Sequence, residues 1–131
     1  MEVSEQFNID ESLVSEFAAL TGDRNPIHLD AEFAKNTLFG RPIAHGMLIS
    51  SYFSKLIAEN YPGPGSIYLV QNIKFLKPCF VGDKITVKII LNEKIESEKK
   101  TIYHLFTRIF NGDILLVDGT AEVLLLKKLI Q

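Results

Sequence analysis

The chain contains a single cysteine, Cys79, among its 131 residues. One cysteine excludes an intrachain disulfide framework and fits a reducing compartment, so we expect a cytoplasmic protein. Basic residues are also few: the 14 lysines and arginines are scattered and the formal net charge is −2. This distribution argues against a protein that binds the phosphate backbone of nucleic acid, and we expect no nucleic-acid partner.

Long hydrophobic runs are missing as well. No uncharged apolar run reaches the length that spans a bilayer, so we expect no membrane association. The N-terminal residues are mixed and acidic and lack the apolar core of a secretory signal. Internal repeats and low-complexity segments are not found. A length of 131 residues therefore predicts one domain over residues 1–131.

Helical signals dominate the first half of the chain, after a short edge strand in residues 1–9. Asp10 is a suitable N-cap for a helix that runs to residue 20, and Gly22 suits its C-terminal end. A short helix is expected over residues 31–38. A longer helix over residues 46–59 carries a broad apolar face, which predicts a central, well-buried position.

The second half alternates between apolar and polar residues, which is typical of strands. Strands are predicted over residues 67–76, 84–91, 101–110 and 114–125. In the last strand, the small residues Gly119 and Ala121 are expected to let a helix approach closely. Helices followed by an antiparallel sheet indicate an α+β domain in which the long helix packs on one curved sheet. The other face of that sheet and its edges are available for association with a second copy of the chain.

The candidate site is the loop after the first helix, with the sequence Phe17-Ala-Ala-Leu-Thr-Gly-Asp23-Arg-Asn25-Pro26-Ile-His28. Pro26 cannot continue a helix, so we expect a kink, and not a helical turn, between Asp23 and His28. Asp23 is ionised at neutral pH, and His28 can be neutral near its reference pKa of about 6.5. The two side chains could thus exchange protons with a substrate. Taken alone, each also has an ordinary structural role, as a turn cap and as a packed histidine.

This stretch resembles the type 2 enoyl-CoA hydratase motif of the MaoC-like hydratase/dehydratase family. The segment Arg41-Pro-Ile-Ala-His45-Gly46-Met47 resembles the second signature of the same family, and Phe80-Val-Gly-Asp83 resembles its later turn. The likeness extends over residues 10–125 and is greatest to the short, single-domain (R)-specific enoyl-CoA hydratases. It implies the hot-dog fold, a long central helix wrapped by an antiparallel sheet, and a homodimer in which two sheets join.

The resemblance also implies roles for individual residues. Asp23 and His28 would be the catalytic pair, Asn25 would support the site, Gly46 would give a backbone N–H to the thioester carbonyl, and Ser54 would line the site. Asn25 equally fits turn chemistry, and Ser54 fits helix packing. No cofactor is implied beyond the CoA thioester substrate. A metal site is not expected, because the spacing of Asp23, His28 and His45 matches no defensible ligand pattern. We interpret His45 as structural.

The implied reaction is the reversible syn addition of water to a trans-2-enoyl-CoA, which gives a (3R)-3-hydroxyacyl-CoA. Three alternatives stay open at this point. They are dehydration of (3R)-hydroxyacyl thioesters of acyl-carrier protein, thioester hydrolysis on a hot-dog frame, and non-catalytic binding of acyl-CoA. The sequence does not reveal the acyl chain length, the carrier or the physiological direction.

Overall fold

The structure is a computed structural model that describes residues 1–127. Four helices and five strands are found in this part of the chain. In chain order they are β1 (Glu2–Asn8), α1 (Glu11–Thr21), α2 (Pro26–Leu29), α3 (Ala31–Lys35), α4 (Gly46–Glu59), β2 (Ile67–Phe75), β3 (Lys84–Glu96), β4 (Lys100–Asn111) and β5 (Ile114–Leu126). None of the helices in residues 1–127 is long and apolar enough to cross a membrane.

The five strands form one antiparallel sheet in the order β1-β3-β4-β5-β2. The two central pairings are hairpins, in which Val87 lies opposite Ile109 and Leu105 lies opposite Ala121. Helix α4 packs against this sheet and contacts β1, β3 and β4. The predicted α+β hot-dog arrangement, a long central helix wrapped by an antiparallel sheet, is confirmed.

The core lies between α4 and the inner face of the sheet. Apolar residues of α4 recur every three or four positions, which places them on one side of the helix. Apolar residues of the sheet alternate, which places them on one face. The buried members are Leu48, Ile49, Phe53, Leu56 and Ile57 on α4, and Ile85, Val87, Ile89, Leu105, Ile109, Val117, Ala121 and Val123 on the sheet.

Some local predictions are wrong. The segment that follows Asn25 forms a one-turn helix, α2, because proline is compatible with the first position of a helix and Pro26 occupies it. Helix α3 ends three residues earlier than expected, since the Thr37 hydroxyl donates to the Ala34 carbonyl at 2.7 Å and competes with the next turn. Gly119 makes room for β2 and not for a helix, because a Cβ there would overlap the Asn72 carbonyl oxygen.

Candidate active site

The loop between α1 and α2 is held by its own side chains. Gly22 ends α1 in the left-handed conformation, with φ of 81°, and its N–H bonds the Ala18 carbonyl at 2.9 Å. The Thr21 hydroxyl accepts from the Asp23 N–H at 3.2 Å, and the Asp23 carboxylate accepts from the Asn25 N–H at 3.3 Å. These short-range bonds fix the direction in which the loop leaves the helix.

Asn25 is the N-cap of α2. Its side-chain oxygen accepts from the Ile27 N–H at 3.2 Å, and its backbone carbonyl accepts from the His28 N–H at 3.0 Å. Asn25 therefore has the turn role that the sequence left open, and through α2 it also sets the position of His28. A contact of Asn25 with substrate stays a prediction.

The tautomer of His28 follows from one hydrogen bond. Its Nδ1 lies 2.6 Å from the Ile43 carbonyl oxygen, and a carbonyl only accepts, so Nδ1 carries the hydrogen. The lone pair is then on Nε2. Partial burial lowers the pKa of His28 below its ordinary value of 6.5; the Ile43 bond and the Asp23 charge raise it, and His45 lowers it. His28 is thus prepared to act as a neutral base.

Asp23, His28 and His45 form one cluster. A carboxylate oxygen of Asp23 and one ring nitrogen of each histidine lie within 4.8 Å of one another. Two hydrogen bonds of about 2.8 Å to one water can bridge acceptors that are about 4 to 5 Å apart. A single water can therefore be held between Asp23 and His28.

The same three groups are close enough to be considered as a metal site. The rings of His28 and His45, however, form a tilted pair with their centroids 3.8 Å apart and an interplanar angle of 31°. Nitrogen lone pairs lie in the ring plane, so two rings that lie one over the other direct them poorly at a common point. His45 also uses Nε2 in a 3.0 Å bond to the Asp23 backbone carbonyl. We identify no metal ligands here, and the expectation of no metal stays a prediction.

Gly46 is the first residue of α4. Within residues 1–127 its N–H has no hydrogen-bond acceptor, as is usual for the first turn of a helix, and the partial positive charge of the helix is concentrated there. A Cβ at this position would lie 2.5 Å from Cε1 of Phe75, so any residue other than glycine requires that ring to move. This arrangement leaves a backbone donor available to an oxygen that carries negative charge.

His28 and Gly46 line the same cavity, which has a volume of about 430 Å³. Most of its other walls are apolar, and they come from Phe39, Ile43, Ala44, Met47, Ile49, Phe75, Leu76, Lys77, Pro78 and Cys79. Burial, with a contribution from the Asp83 charge, raises the pKa of the Cys79 thiol to about 12, so it stays protonated at neutral pH. The cavity suits an apolar group next to a polar reacting centre.

Ser54 is not brought to this cluster. It follows Gly46 by eight residues, about 12 Å along the helix axis at about 1.5 Å per residue. It lines a second pocket of about 310 Å³ with Ser50, Ser51, Tyr68, Gln71 and Ile73, and Met47 borders both pockets. A role for Ser54 in lining the substrate path stays a prediction.

The sequence analysis did not assign three contributors to the site, although it named one of them, His45, as structural. The Ile43 carbonyl orients His28, and a backbone atom has no signal of its own in a sequence. Phe75 comes from β2, and only the tertiary fold brings it to Gly46. His45 does carry a signal, because it directly precedes Gly46 in the second signature.

Comparison with known proteins identifies the family. A family model described as a MaoC-like domain matches residues 1–108. The (R)-specific enoyl-CoA hydratase of Aeromonas caviae is 50% identical over 111 residues, 84% of this chain and 81% of that protein. The 3-hydroxybutyryl-CoA dehydratase of Methylorubrum extorquens is 39% identical over 120 residues, 92% of this chain and 75% of that protein.

A solved structure gives the same result. The (R)-hydratase from A. caviae involved in PHA biosynthesis superposes with a TM-score of 0.88 and 44% identity, over 94% of this chain and 92% of that one. Both the sequence and the fold are thus similar to those of proteins named as hydratases and dehydratases of CoA thioesters. The chain belongs to the family of MaoC-like dehydratase domains.

Proposed function

We propose that this protein is an (R)-specific enoyl-CoA hydratase, a hydro-lyase that adds water reversibly to a trans-2-enoyl-CoA and forms a (3R)-3-hydroxyacyl-CoA. One observation carries the proposal. A carboxylate oxygen of Asp23 and a ring nitrogen of His28 lie within 4.8 Å of each other, and His28 lines the same cavity as the helix-start residue Gly46. The names of the two relatives, a hydratase and a dehydratase acting on CoA thioesters, support the same reaction.

The proton transfers follow from the states of the two side chains. Asp23 is an acceptor as a carboxylate, and His28 is an acceptor through the Nε2 lone pair that its bond to Ile43 leaves open. A water held between them loses one proton to the pair while its oxygen attacks C3 of the enoyl group. The pair then returns a proton to C2 and regains its starting state. Both additions come from the position of one water, so they occur on the same face.

Negative charge develops on the thioester oxygen as C3 is attacked. The N–H of Gly46 points from the positive end of α4 and is proposed to bind that oxygen. A backbone donor that is held in place before the reaction commonly contributes a few kcal/mol to transition-state stabilisation. The apolar cavity walls exclude water around the enolate and strengthen this interaction.

A homodimer is part of the proposal. Strand β2 lies at an edge of the sheet, and four consecutive residues of β2 on both of its faces are 37–49% exposed: Ile67, Tyr68, Leu69 and Val70. An unpaired edge strand that exposes this much apolar surface is a template for pairing with a second copy. Light scattering at working concentration is expected to give twice the chain mass of 14.8 kDa; a monomer mass would contradict the dimer.

The activity is tested with purified protein and crotonyl-CoA. Loss of the enoyl-thioester absorbance without release of free thiol is the expected result. Release of free thiol in step with the loss of absorbance would identify a thioesterase instead, because cleavage of the thioester also removes the enoyl-thioester chromophore. Tight binding without turnover would identify a binding module. A parallel assay with the crotonyl thioester of acyl-carrier protein distinguishes the carriers, and faster turnover of that substrate would contradict the proposal for CoA.

A further inference from the structure

The side chain of His45 contacts both members of the proposed catalytic pair, yet the hydration mechanism above gives it no step. Its ring is 2% exposed and lies between Phe17, at a centroid distance of 4.8 Å, and His28, at 3.8 Å. Its Nε2 lies 3.0 Å from the backbone carbonyl of Asp23. Its backbone directly precedes Gly46. Asp23 and His28 are therefore in contact with His45, and Gly46 is its neighbour in the chain.

The hydrogen bond determines the tautomer of His45. The Asp23 carbonyl can only accept, so Nε2 carries the hydrogen and donates it. Nδ1 is then a lone pair, and it is buried without a hydrogen-bond partner among residues 1–127. A buried nitrogen without a partner is a cost that a purely packing residue such as phenylalanine would avoid. What the imidazole provides in place of such a residue is the Nε2–H bond to the Asp23 carbonyl.

Resting on the hydratase function proposed above, we propose that His45 is a positioning residue that sets the separation of Asp23 and His28. Its Nε2–H donates to the backbone carbonyl of Asp23 and anchors the loop there, and its ring packs against the imidazole of His28. The Asp23 loop is exposed and otherwise held by short-range bonds between its own residues. Without the anchor, the Asp23 carboxylate moves relative to His28 while the substrate cavity, whose walls do not include Asp23, keeps its shape.

Two substitutions separate anchoring from packing. His45→Phe keeps an aromatic ring against His28 and removes the donor. His45→Gln keeps an N–H donor near the place of Nε2 and removes the ring. A misplacement of about 1 Å at reacting groups can cost about 100-fold in rate, so we expect His45→Phe to lower kcat by about this factor with little change in KM. His45→Gln is expected to retain the greater kcat of the two, although His45→Phe is expected to have the higher Tm.

This inverse order of activity and stability is the result that a merely structural role would not give. If His45→Phe has the higher kcat, or if both variants stay within about threefold of the parent chain, which is less than 0.7 kcal/mol in the barrier, the proposal is overturned. A matched control is His104→Gln, because His104 lies on β4 beside Glu122, outside the cluster, and its kcat is expected to equal that of the parent chain.

A measurement on the resting protein does not depend on activity. The chain has three histidines, so a ¹⁵N-histidine NMR spectrum can be assigned with single substitutions. We expect the Nε2–H tautomer for His45 and the Nδ1–H tautomer for His28; a Nδ1–H tautomer for His45 would overturn the proposal. Inactivity of the parent chain on crotonyl-CoA would instead contradict the proposed function. The tautomer measurement would then still test whether His45 donates to the Asp23 carbonyl.

The pH profile of the variants gives one more readout. Among residues 1–127, the titratable groups that act on His28 or line a pocket with it are Asp23 from the loop, Glu11 from α1, His45 before α4, and Lys77 and Cys79 after β2. Substitution of His45 leaves Glu11, Lys77 and Cys79 in place, and the charge of Asp23, which is expected to move, is the smallest of the contributions to the pKa of His28. His45→Gln exposes His28 to water, and burial is the main cause of its lowered pKa. The midpoint of the acidic limb of kcat/KM is therefore expected to shift more in His45→Gln than in His45→Phe. Identical limbs in the two variants would overturn the stacking part of the proposal.

Discussion

Gly46→Ala tests the backbone donor at the start of α4, because it adds one methyl group and keeps the N–H. The new Cβ would lie 2.5 Å from Cε1 and 2.9 Å from Cδ1 of Phe75, closer than van der Waals contact allows. Phe75 is 53% exposed, so its ring can swing aside. Alanine also favours a helix by up to about 1 kcal/mol over glycine. The free energy of unfolding is therefore expected to change by about 1 kcal/mol or less.

Catalysis should respond far more strongly than stability. A donor in an oxyanion hole works at about 2.7 to 3.1 Å, and loss of one such donor costs about 10²- to 10³-fold in kcat, or about 2.7 to 4 kcal/mol. In the proposed mechanism, the methyl group or the Phe75 ring that it displaces hinders the approach of the thioester oxygen to the Gly46 N–H. We expect kcat for crotonyl-CoA to fall about 100-fold, with a smaller change in KM.

The double variant Gly46→Ala/Phe75→Ala distinguishes the two effects of the methyl group. If the methyl blocks the thioester oxygen, the double variant stays about 100-fold below Phe75→Ala alone. Recovery of the double variant to the level of Phe75→Ala would show that only the displaced ring impedes catalysis. That recovery, or a single variant with the parent activity, would refute the proposed approach of the thioester oxygen past Cα of Gly46.

The remaining predictions concern the loop and its histidine. Asp23→Asn and His28→Gln should each lower kcat by about 10²- to 10⁴-fold while circular dichroism and Tm show a folded protein; near-normal turnover in either would remove that residue from the mechanism. Since the pKa of His28 lies below 6.5, kcat/KM should be full at neutral pH and fall as His28 gains a proton, with an acidic limb centred below pH 6.5; a limb centred above that value would contradict the neutral base. Asn25→Ala removes the cap of α2, so we expect a loss of about 1 kcal/mol in unfolding free energy. We also expect a fall in kcat that exceeds any rise in KM. An unchanged kcat would show that the cap does not set the position of His28.

The fold could be read from the sequence because its signals are strong and local. A helix is the one element that buries the apolar stripe over residues 46–59, and a strand is the one that buries the alternating residues 84–91. Both elements are found. The one-turn helix α2 was not predicted, because a proline that ends one helix can also begin another, and four residues carry too little periodicity to decide. The extension of β3 to Glu96 likewise depends on pairing with β4, which is a tertiary effect.

The site was only partly predictable. Asp23, His28 and Gly46 lie in two motifs whose residue types match proton transfer and carbonyl binding. Their mutual distance depends on backbone contacts, such as the bond of His28 to the Ile43 carbonyl, and these have no sequence signature. The predicted roles of Asn25 and Ser54 depend on the path of the bound substrate, which neither the motifs nor the helix spacing defines.

The most direct test of the mechanism is the stereochemistry of hydration in D₂O. Crotonyl-CoA is converted in deuterated buffer, and the configurations at C2 and C3 of the product are determined by NMR and with an (R)-specific dehydrogenase. One water held between Asp23 and His28 predicts a (3R) product in which the hydroxyl at C3 and the deuterium at C2 were added to the same face. A (3S) product, or addition to opposite faces, would contradict the proposal that one water between these two side chains delivers both groups.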